Sequence, residues 1–267
     1  MINLVCALHC EAKPIISHYK LSKIPDAVFP IFENQQICLV VSGVGKVNTA
    51  AAMSYLFVKK QEKKNNPWLN FGIAGHKAAA TGCWFNVNKV TDAVTGVRYY
   101  PMRYPLFNCS TVALKTMDKP QDTYEAEVLF DMEASAFMAT ALKFCSVELV
   151  QVMKIVSDNE HNHINCIDKK YVNTMIQNNL APLIEVISFL QKKSEMFDEI
   201  YHLDDMFLYC LKKWHFTKYQ KNELERLIQC WRSLGDKNAP DQLKACQNAR
   251  QVIARFKLAL NGAVMAF

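Results

Sequence analysis

The feature that most constrains this fold is the alternation of short apolar runs with helix-like segments over the first two thirds of the chain. Apolar runs at residues 2–8, 37–41 and 151–156 predict buried strands. The alanine-rich residues 47–56 and the apolar spacing of residues 132–144 predict helices. Fully apolar strands that alternate with helices are typical of an α/β fold whose central sheet is covered on both faces.

The pattern changes at about residue 195, after which no segment has the character of a strand. Thr217 and Gln220 form a capping-box pattern at the start of a predicted helix. One apolar stripe then follows at helical spacing: Leu224, Leu227, Ile228, Trp231 and Leu234. We therefore predict two domains, an α/β domain of residues 1–194 and an all-helical extension of residues 195–267.

Composition excludes several classes of protein. Hydrophobic residues make up 51% of the 267 positions, which excludes a disordered or low-complexity chain. The net charge of +6 is too small to indicate nucleic-acid binding, and basic and acidic residues are nearly balanced in the extension. The apolar runs are shorter than a membrane span, so we expect no membrane association.

The amino terminus and the cysteines predict the compartment. Residues 1–8 lack the basic region of a signal peptide. The ten cysteines are scattered and contain no C-x-x-C pair, so we expect reduced thiols and a cytoplasmic protein. His161 and His163 have no third ligand motif beside them, and we expect no metal or other cofactor.

Candidate functional residues follow the predicted strands, because ligands of open α/β sheets bind beyond the carboxyl ends of the strands. A glycine turn, Ser42–Lys46, follows the second strand, and another, Gly72–Gly75, follows Trp68–Phe71. Ser157 and Asp158 follow the late strand. Neither glycine turn has dinucleotide-binding or P-loop spacing. Taken alone, each glycine motif is more typical of a tight strand-to-helix turn than of a binding loop, and each carboxylate is more typical of a solvated side chain than of a catalytic one.

Together these motifs resemble those of the nucleoside phosphorylase superfamily in order and approximate spacing. The motifs are Ser42–Asn48, Asn70–Gly75, Asp131–Ala134 and Ser157-Asp158. Residues 6–11, which lead to Glu11, are similar to the start of its methylthioadenosine/S-adenosylhomocysteine nucleosidase branch. The resemblance covers about residues 1–190 and implies a mixed central sheet flanked by helices. It also implies a homodimer that acts on a small-molecule nucleoside.

The resemblance implies roles for individual residues. Asp158 matches the acid that gives a proton to the purine as it leaves. Glu133 matches the carboxylate that binds the ribose hydroxyls, with Met132 against the sugar, and Glu11 matches the group that activates water. Further substrate contacts are expected from a set of smaller or apolar residues: Gly43, Gly45, Ile73, Gly75, Ser157 and Phe107.

The chemistry explains why carboxyl groups are needed. Cleavage of an N-glycosidic bond builds positive charge on the sugar and negative charge on the base. One protonated carboxyl can neutralise the base, a second can stabilise the sugar and a third can activate water. O-glycosidases solve a related problem with paired carboxylates.

The same motifs favour hydrolysis over phosphorolysis. No arginine precedes the second glycine motif, and Lys46-Val47 stands where many phosphorylases have Pro-Ser. We expect Lys46 to be solvated or to cap a helix. The prediction is a purine nucleosidase of adenine salvage, which acts on a 5′-modified adenine nucleoside. A phosphate-dependent phosphorylase stays open, and so does a catalytically weak binding or scaffold protein, because Thr116–Pro120 departs from the usual base-binding segment.

Overall fold

The computed structural model describes residues 1–60, 66–102, 110–121, 123–124, 126–163, 167–201, 205–234 and 243–264. Two compact units are present, Met1–Ser194 and Glu195–Phe267. In the described part of the chain, no helix is long and apolar enough to cross a membrane.

The first unit is built on a mixed sheet of ten strands. Their bounds are β1 (Ile2–Cys6), β2 (Ser22–Lys23), β3 (Ile31–Glu33), β4 (Ile37–Val41), β5 (Trp68–His76), β6 (Trp84–Asp92), β7 (Arg98–Tyr99), β8 (Thr111–Thr116), β9 (Leu129–Asp131) and β10 (Val150–Asp158).

The sheet divides at β5. On one side, β5 pairs in parallel with β10 along its whole length. On the other side, Trp68–Asn70 pairs with β1, whereas Gly75 and His76 pair with β9. Strands β9, β8, β6 and β10 then continue the pairing back to β5, so five strands form a closed ring. The two neighbours diverge at the middle of β5, and this divergence makes room for a cavity.

Helices cover both faces of this sheet, as the sequence predicts. Their bounds are α1 (His9–Tyr19), α2 (Lys46–Lys60), α3 (Ala134–Ala141), α4 (Lys169–Asn178) and α5 (Leu180–Tyr201). Successive strand residues point to opposite faces. Leu4 and Leu39 therefore pack in the cluster of α1, α4 and α5, whereas Val5 and Val40 pack in the cluster of α2 and α3.

Two segments that are predicted to follow strands, one of them as a glycine turn, prove to belong to the strands. Strand β5 continues through Gly72–Gly75, and β10 continues through Ser157 and Asp158. The glycines of β5 are explained by close neighbours: a Cβ on Gly72 would lie 2.6 Å from Oε1 of Glu11, and one on Gly75 would overlap Tyr124. The helix predicted over 132–144 is shorter, because Asp131, Met132 and Glu133 form the end of β9 and the entry to α3.

The second unit is helical over its described residues and has its own apolar core. Its helices are α6 (Asp205–Lys213), α7 (Lys218–Ser233) and α8 (Ala249–Val264). Thr217 caps α7 through the predicted capping box with Gln220. Most of the predicted stripe is buried, but Leu234 is 39% exposed because it lies at the C-terminal cap.

Candidate active site

One cavity of about 280 Å³ lies beside the middle of β5. The three predicted carboxylates, Glu11, Glu133 and Asp158, all line it, although they come from α1, the start of α3 and the end of β10. Each of the three residues is at most 6% exposed. The fold therefore gathers three buried carboxyl groups, distant in sequence, around one space.

Glu11 fills the gap where the neighbours of β5 diverge. Its Oε1 accepts a hydrogen bond of 2.9 Å from the Ile73 N–H, in the place of a strand partner, and its Oε2 accepts one of 2.8 Å from the Leu8 N–H. Gly72 leaves the space that the carboxylate occupies. Burial raises the pKa of Glu11, while the two N–H groups and the nearby Lys154 oppose that rise.

Glu133 is held by the first glycine turn. Its Oε1 accepts a hydrogen bond of 2.8 Å from the Gly45 N–H. Gly43 and Gly45 have φ angles of +84° and +98°, which favour glycine, so the turn presents this N–H at little conformational cost. Burial, together with the charge of Asp131, raises the pKa of Glu133 to about 7.

A buried lysine balances the charge of this carboxylate cluster. Lys154 lies on β10 at 2% exposure, and its Nζ is 3.0 Å from Oδ2 of Asp131. Burial alone would lower the pKa of Lys154, but the charges of Asp131, Glu133 and Glu11 outweigh burial and raise it. Asp131 also accepts hydrogen bonds of 2.8 Å from the Thr116 hydroxyl and the Ala134 N–H. The lysine therefore stays charged beneath the cavity.

Asp158 is held by two hydroxyl groups. Ser157 donates to its Oδ1, and Tyr124 donates to its Oδ2. Tyr124 is 6% exposed, packs against Phe130 at a ring-centroid distance of 5.3 Å and lies over Gly75. Tyr124 and Asp158 both line the cavity, so this hydrogen bond lies in its wall.

The remaining predicted site residues divide into three groups. Met132, Ile73, Gly75 and Ser157 line the cavity. Gly43 and Gly45 are not in the lining, where Val44 between them is, and the Gly45 N–H binds Glu133. Phe107 lies outside the described residues.

Lys46 differs from the prediction of a solvated or capping side chain. Its Nζ is 3.0 Å from Oδ2 of Asp92 and 2.6 Å from Oδ1 of Asp118. Lys119 is the one cationic side chain among the described residues that line the cavity. No cluster of three or more metal-ligating side chains is present among the residues that the structure describes.

The fold was compared with known proteins. No model of a known protein family matches the sequence, and no curated protein matches it. Solved structures do match. The 5′-methylthioadenosine nucleosidase of Arabidopsis thaliana has a TM-score of 0.60 at 18% identity, over 71% of this chain and 95% of that one.

Two bacterial structures give the same result. A 5′-methylthioadenosine/S-adenosylhomocysteine nucleosidase from Neisseria meningitidis, in complex with methylthio-immucillin-A, matches at a TM-score of 0.57 and 15% identity, over 70% of this chain and 97% of that one. The nucleosidase from Colwellia psychrerythraea, in complex with adenine, matches at 0.57 and 17%, over 71% and 95%.

The chain has a nucleoside phosphorylase-like fold. At these identities, the fold is what the likeness establishes, and it confirms the mixed α/β architecture predicted from the motifs. Two further side chains contact the carboxyl groups of the site: Tyr124 donates its hydroxyl hydrogen to Asp158, and the buried Lys154 pairs with Asp131.

Sequence reasoning did not identify Tyr124 and Lys154. Lys154 gave a signal, because a lone charged residue inside an apolar strand must be paired when it is buried. Tyr124 gave none, since it lies between residues 117 and 128, where no helix or strand is described.

Proposed function

We propose that this chain is a nucleosidase that hydrolyses the N-glycosidic bond of an adenine nucleoside with a modified 5′ position. The observation that carries the proposal is the convergence of Glu11, Glu133 and Asp158 on one cavity. Structures with the same fold, at low identity, are nucleosidases that act on 5′-methylthioadenosine, and one of them holds adenine. The cleavage of this bond needs one carboxyl group of the enzyme to act on the base, a second to act on the sugar and a third to act on the water.

Asp158 serves the leaving base. It lines the cavity together with Tyr124 and Gly75, and a purine bound there replaces the Tyr124 hydroxyl as the partner of Oδ2. As the glycosidic bond breaks, protonated Asp158 gives its proton to the purine ring and neutralises the charge that develops on the base. Ser157 holds the other oxygen and fixes the direction of the carboxyl group.

Glu133 and Met132 serve the sugar. A carboxylate accepts hydrogen bonds from two neighbouring hydroxyl groups, which suits a ribose diol. The Gly45 N–H occupies only part of the acceptor capacity of Oε1, so both Glu133 oxygens keep lone pairs for the substrate. The negative charge of Glu133 stabilises the positive charge that builds on the ribose ring.

Glu11 serves the attacking water. Its two backbone hydrogen bonds fix the carboxylate, and each oxygen keeps a lone pair that can accept a water proton. The pKa of Glu11, which burial raises, makes it a better proton acceptor than a solvated glutamate. Lys154 offsets part of the negative charge of the carboxylate cluster before the proton arrives.

Two lysines near the cavity are already paired with carboxylates, which favours water over phosphate, and Lys119 is the one cation in the described lining. A phosphorylase must bind an anion beside the sugar, which needs free positive charge. Lys46 is occupied by Asp92 and Asp118, and Lys154 is occupied by Asp131. Asn70, the residue before the second glycine motif, is buried in β5.

Incubation of the full chain with 5′-methylthioadenosine or 5′-deoxyadenosine, with and without inorganic phosphate, tests the proposal. We expect free adenine in both conditions at the same rate, measured by chromatography. Adenine only in the presence of phosphate would establish phosphorolysis instead.

The proposal includes a homodimer in the cytoplasm with a role in adenine salvage. Sedimentation analysis of the full chain tests the oligomeric state.

A second candidate is a nucleoside-binding protein with little turnover. The specific observation in its favour is that the Tyr124 hydroxyl already donates a hydrogen bond to Asp158, the proposed acid. This candidate predicts that adenine raises the melting temperature of the chain while none of the nucleosides above is cleaved. Release of adenine at a rate well above the spontaneous rate would exclude it.

A further inference from the structure

A second cavity of about 590 Å³ opens next to the first, and the two share Leu8 as a common wall. It lies between the first turns of α1 and α4. The side chains that line it beyond Leu8 include His9, Lys13, Lys169, Lys170 and Asn173, and the described lining contains no carboxylate. We call this cavity the basic groove.

The lysines of the basic groove carry unbalanced charge. Within the part of the chain that the structure describes, no carboxylate lies within ion-pair distance of Lys13, Lys169 or Lys170. Asp168, next to Lys169 in sequence, accepts a hydrogen bond of 2.6 Å from the Tyr171 N–H at the cap of α4 and forms no ion pair with a described lysine. By contrast, Lys46 and Lys154 beside the first cavity are both neutralised.

The two helices turn these cations toward one another. Burial raises the pKa of the Cys10 thiol, and the positive charge of Lys169 acts against this rise, so the α4 lysine lies near the first turn of α1. His9 is held in place against Phe32 at a ring-centroid distance of 5.8 Å. The positive ends of both helix dipoles add to the same potential.

The proposed orientation of the nucleoside directs its 5′ substituent toward the second cavity. The base lies at Asp158 and the ribose at Glu133, so the 5′ substituent leaves the first cavity away from Asp158. Leu8 lines both cavities and its N–H binds Glu11, so the basic groove adjoins the first cavity on the side where Glu11 lies. A negative group in the first cavity would meet the carboxylates, whereas the described lining of the basic groove holds three lysines and no carboxylate.

We propose that the basic groove binds the 5′ substituent of the substrate and that this substituent ends in an anionic group, a phosphate or a carboxylate. This inference rests on the proposed function and specifies its substrate class. Lysine ammonium groups bind such anions as mobile point charges, and Asn173 supplies a neutral hydrogen-bond donor. A carboxylate cluster at the sugar and a lysine cluster at the 5′ end form a charge pattern that matches an anionic nucleoside in one orientation.

A matched set of nucleosides tests the inference with the full chain. The neutral probe is 5′-butylthio-5′-deoxyadenosine, the carboxylate probe is 5′-(3-carboxypropylthio)-5′-deoxyadenosine, and the phosphate probe is adenosine 5′-monophosphate. We expect kcat/KM for adenine release to be at least about tenfold higher for one of the anionic probes than for the neutral one, by electrostatic complementarity. The probe that is preferred distinguishes phosphate from carboxylate.

Charge reversal in the groove gives the decisive control. The double variant K169E/K170E should lower the ratio of kcat/KM for the preferred anionic probe to kcat/KM for the neutral probe by at least about tenfold, because it replaces two cations of the groove with anions. Two variants outside the groove are the controls. Lys143→Glu reverses one charge, and K59E/K143E reverses two and so matches the groove variant in total charge. Both should leave the preference for the anionic probe unchanged. Equal rates for neutral and anionic probes, or a preference that survives K169E/K170E, would overturn the inference.

A binding measurement separates this inference from the proposed function. If no probe is cleaved, the proposed hydrolysis fails, and calorimetric titration of the wild type and K169E/K170E with adenosine 5′-monophosphate then decides the groove. Affinity that falls at least about tenfold in the variant supports the anionic subsite without turnover. Affinity that is unchanged, or no binding to the wild type, overturns the subsite as well.

Discussion

The Tyr124 hydroxyl donates a hydrogen bond to Oδ2 of Asp158, 34 residues away in sequence, so the residue assigned to protonate the base is already engaged before the substrate binds. Both oxygens of Asp158 accept hydroxyl hydrogen bonds, the other from Ser157. The base must therefore compete with a side chain of the protein itself.

Removal of that competitor should strengthen substrate binding. In Tyr124→Phe the ring keeps its packing against Phe130, but the hydroxyl is lost. One neutral hydrogen bond contributes about 0.5–1.5 kcal/mol, so we expect KM for 5′-methylthioadenosine to fall about threefold to tenfold with a much smaller change in kcat. Steady-state kinetics measures this, and Tyr219→Phe, at a tyrosine that is 76% exposed, is the control. A rise in KM would show that Tyr124 assists binding.

The pH dependence of activity should report Glu133. Its pKa is raised to about 7, and only its ionised form accepts two ribose hydroxyl groups. As the pH falls through 7, Glu133 becomes protonated, so kcat/KM should fall on the acid side and level off near pH 8. In Glu133→Gln we expect kcat/KM to fall by on the order of 100-fold and this limb to disappear. An unchanged acid limb in the variant would assign the limb to another group.

Lys154 should be required for stability rather than for contact with substrate. Lys154→Met leaves Asp131, Glu133 and Glu11 buried without a balancing cation, which should lower the free energy of unfolding by about 3 kcal/mol or more at pH 7.5. The loss should shrink at pH 5.5, because carboxyl groups whose folded-state pKa values are raised become neutral as the pH falls through those values. Urea denaturation at both pH values measures the difference, with Lys154→Arg as the charge-preserving control. An equal loss at both pH values would contradict the electrostatic explanation.

Gly72 should be required for the position of Glu11. A Cβ at residue 72 would lie 2.6 Å from Oε1 of Glu11, so Gly72→Ala must displace the carboxylate from the Ile73 N–H. A shift of about 1 Å in a catalytic group costs on the order of 100-fold in rate, so we expect kcat to fall by about this factor. Gly262→Ala is the control, since a Cβ there meets no atom within 4 Å. Full activity in Gly72→Ala would exclude Glu11 as the base.

The parts of the site that could be predicted from the sequence are those that place a requirement on neighbouring residues of the chain. The positive φ angles of Gly43 and Gly45 require glycine, and the apolar runs of β1, β4 and β10 require burial, so both leave a pattern in the sequence. The continuation of β5 through Gly72–Gly75 was missed because those glycines serve contacts with Glu11 and Tyr124, which are distant in sequence. The Tyr124–Asp158 hydrogen bond and the basic groove join segments that only the folded sheet brings together.

The most direct test of the central claim is adenine release from 5′-methylthioadenosine in phosphate-free buffer by the wild type and by Asp158→Asn. Asparagine keeps the shape of the side chain but carries no acidic proton, so we predict clear turnover by the wild type. In the variant, kcat should be lower by about 100-fold or more, with KM changed much less. The absence of adenine release by the wild type, or equal kcat values for the two proteins, would contradict the assignment of this cavity as a nucleosidase site with Asp158 as its acid.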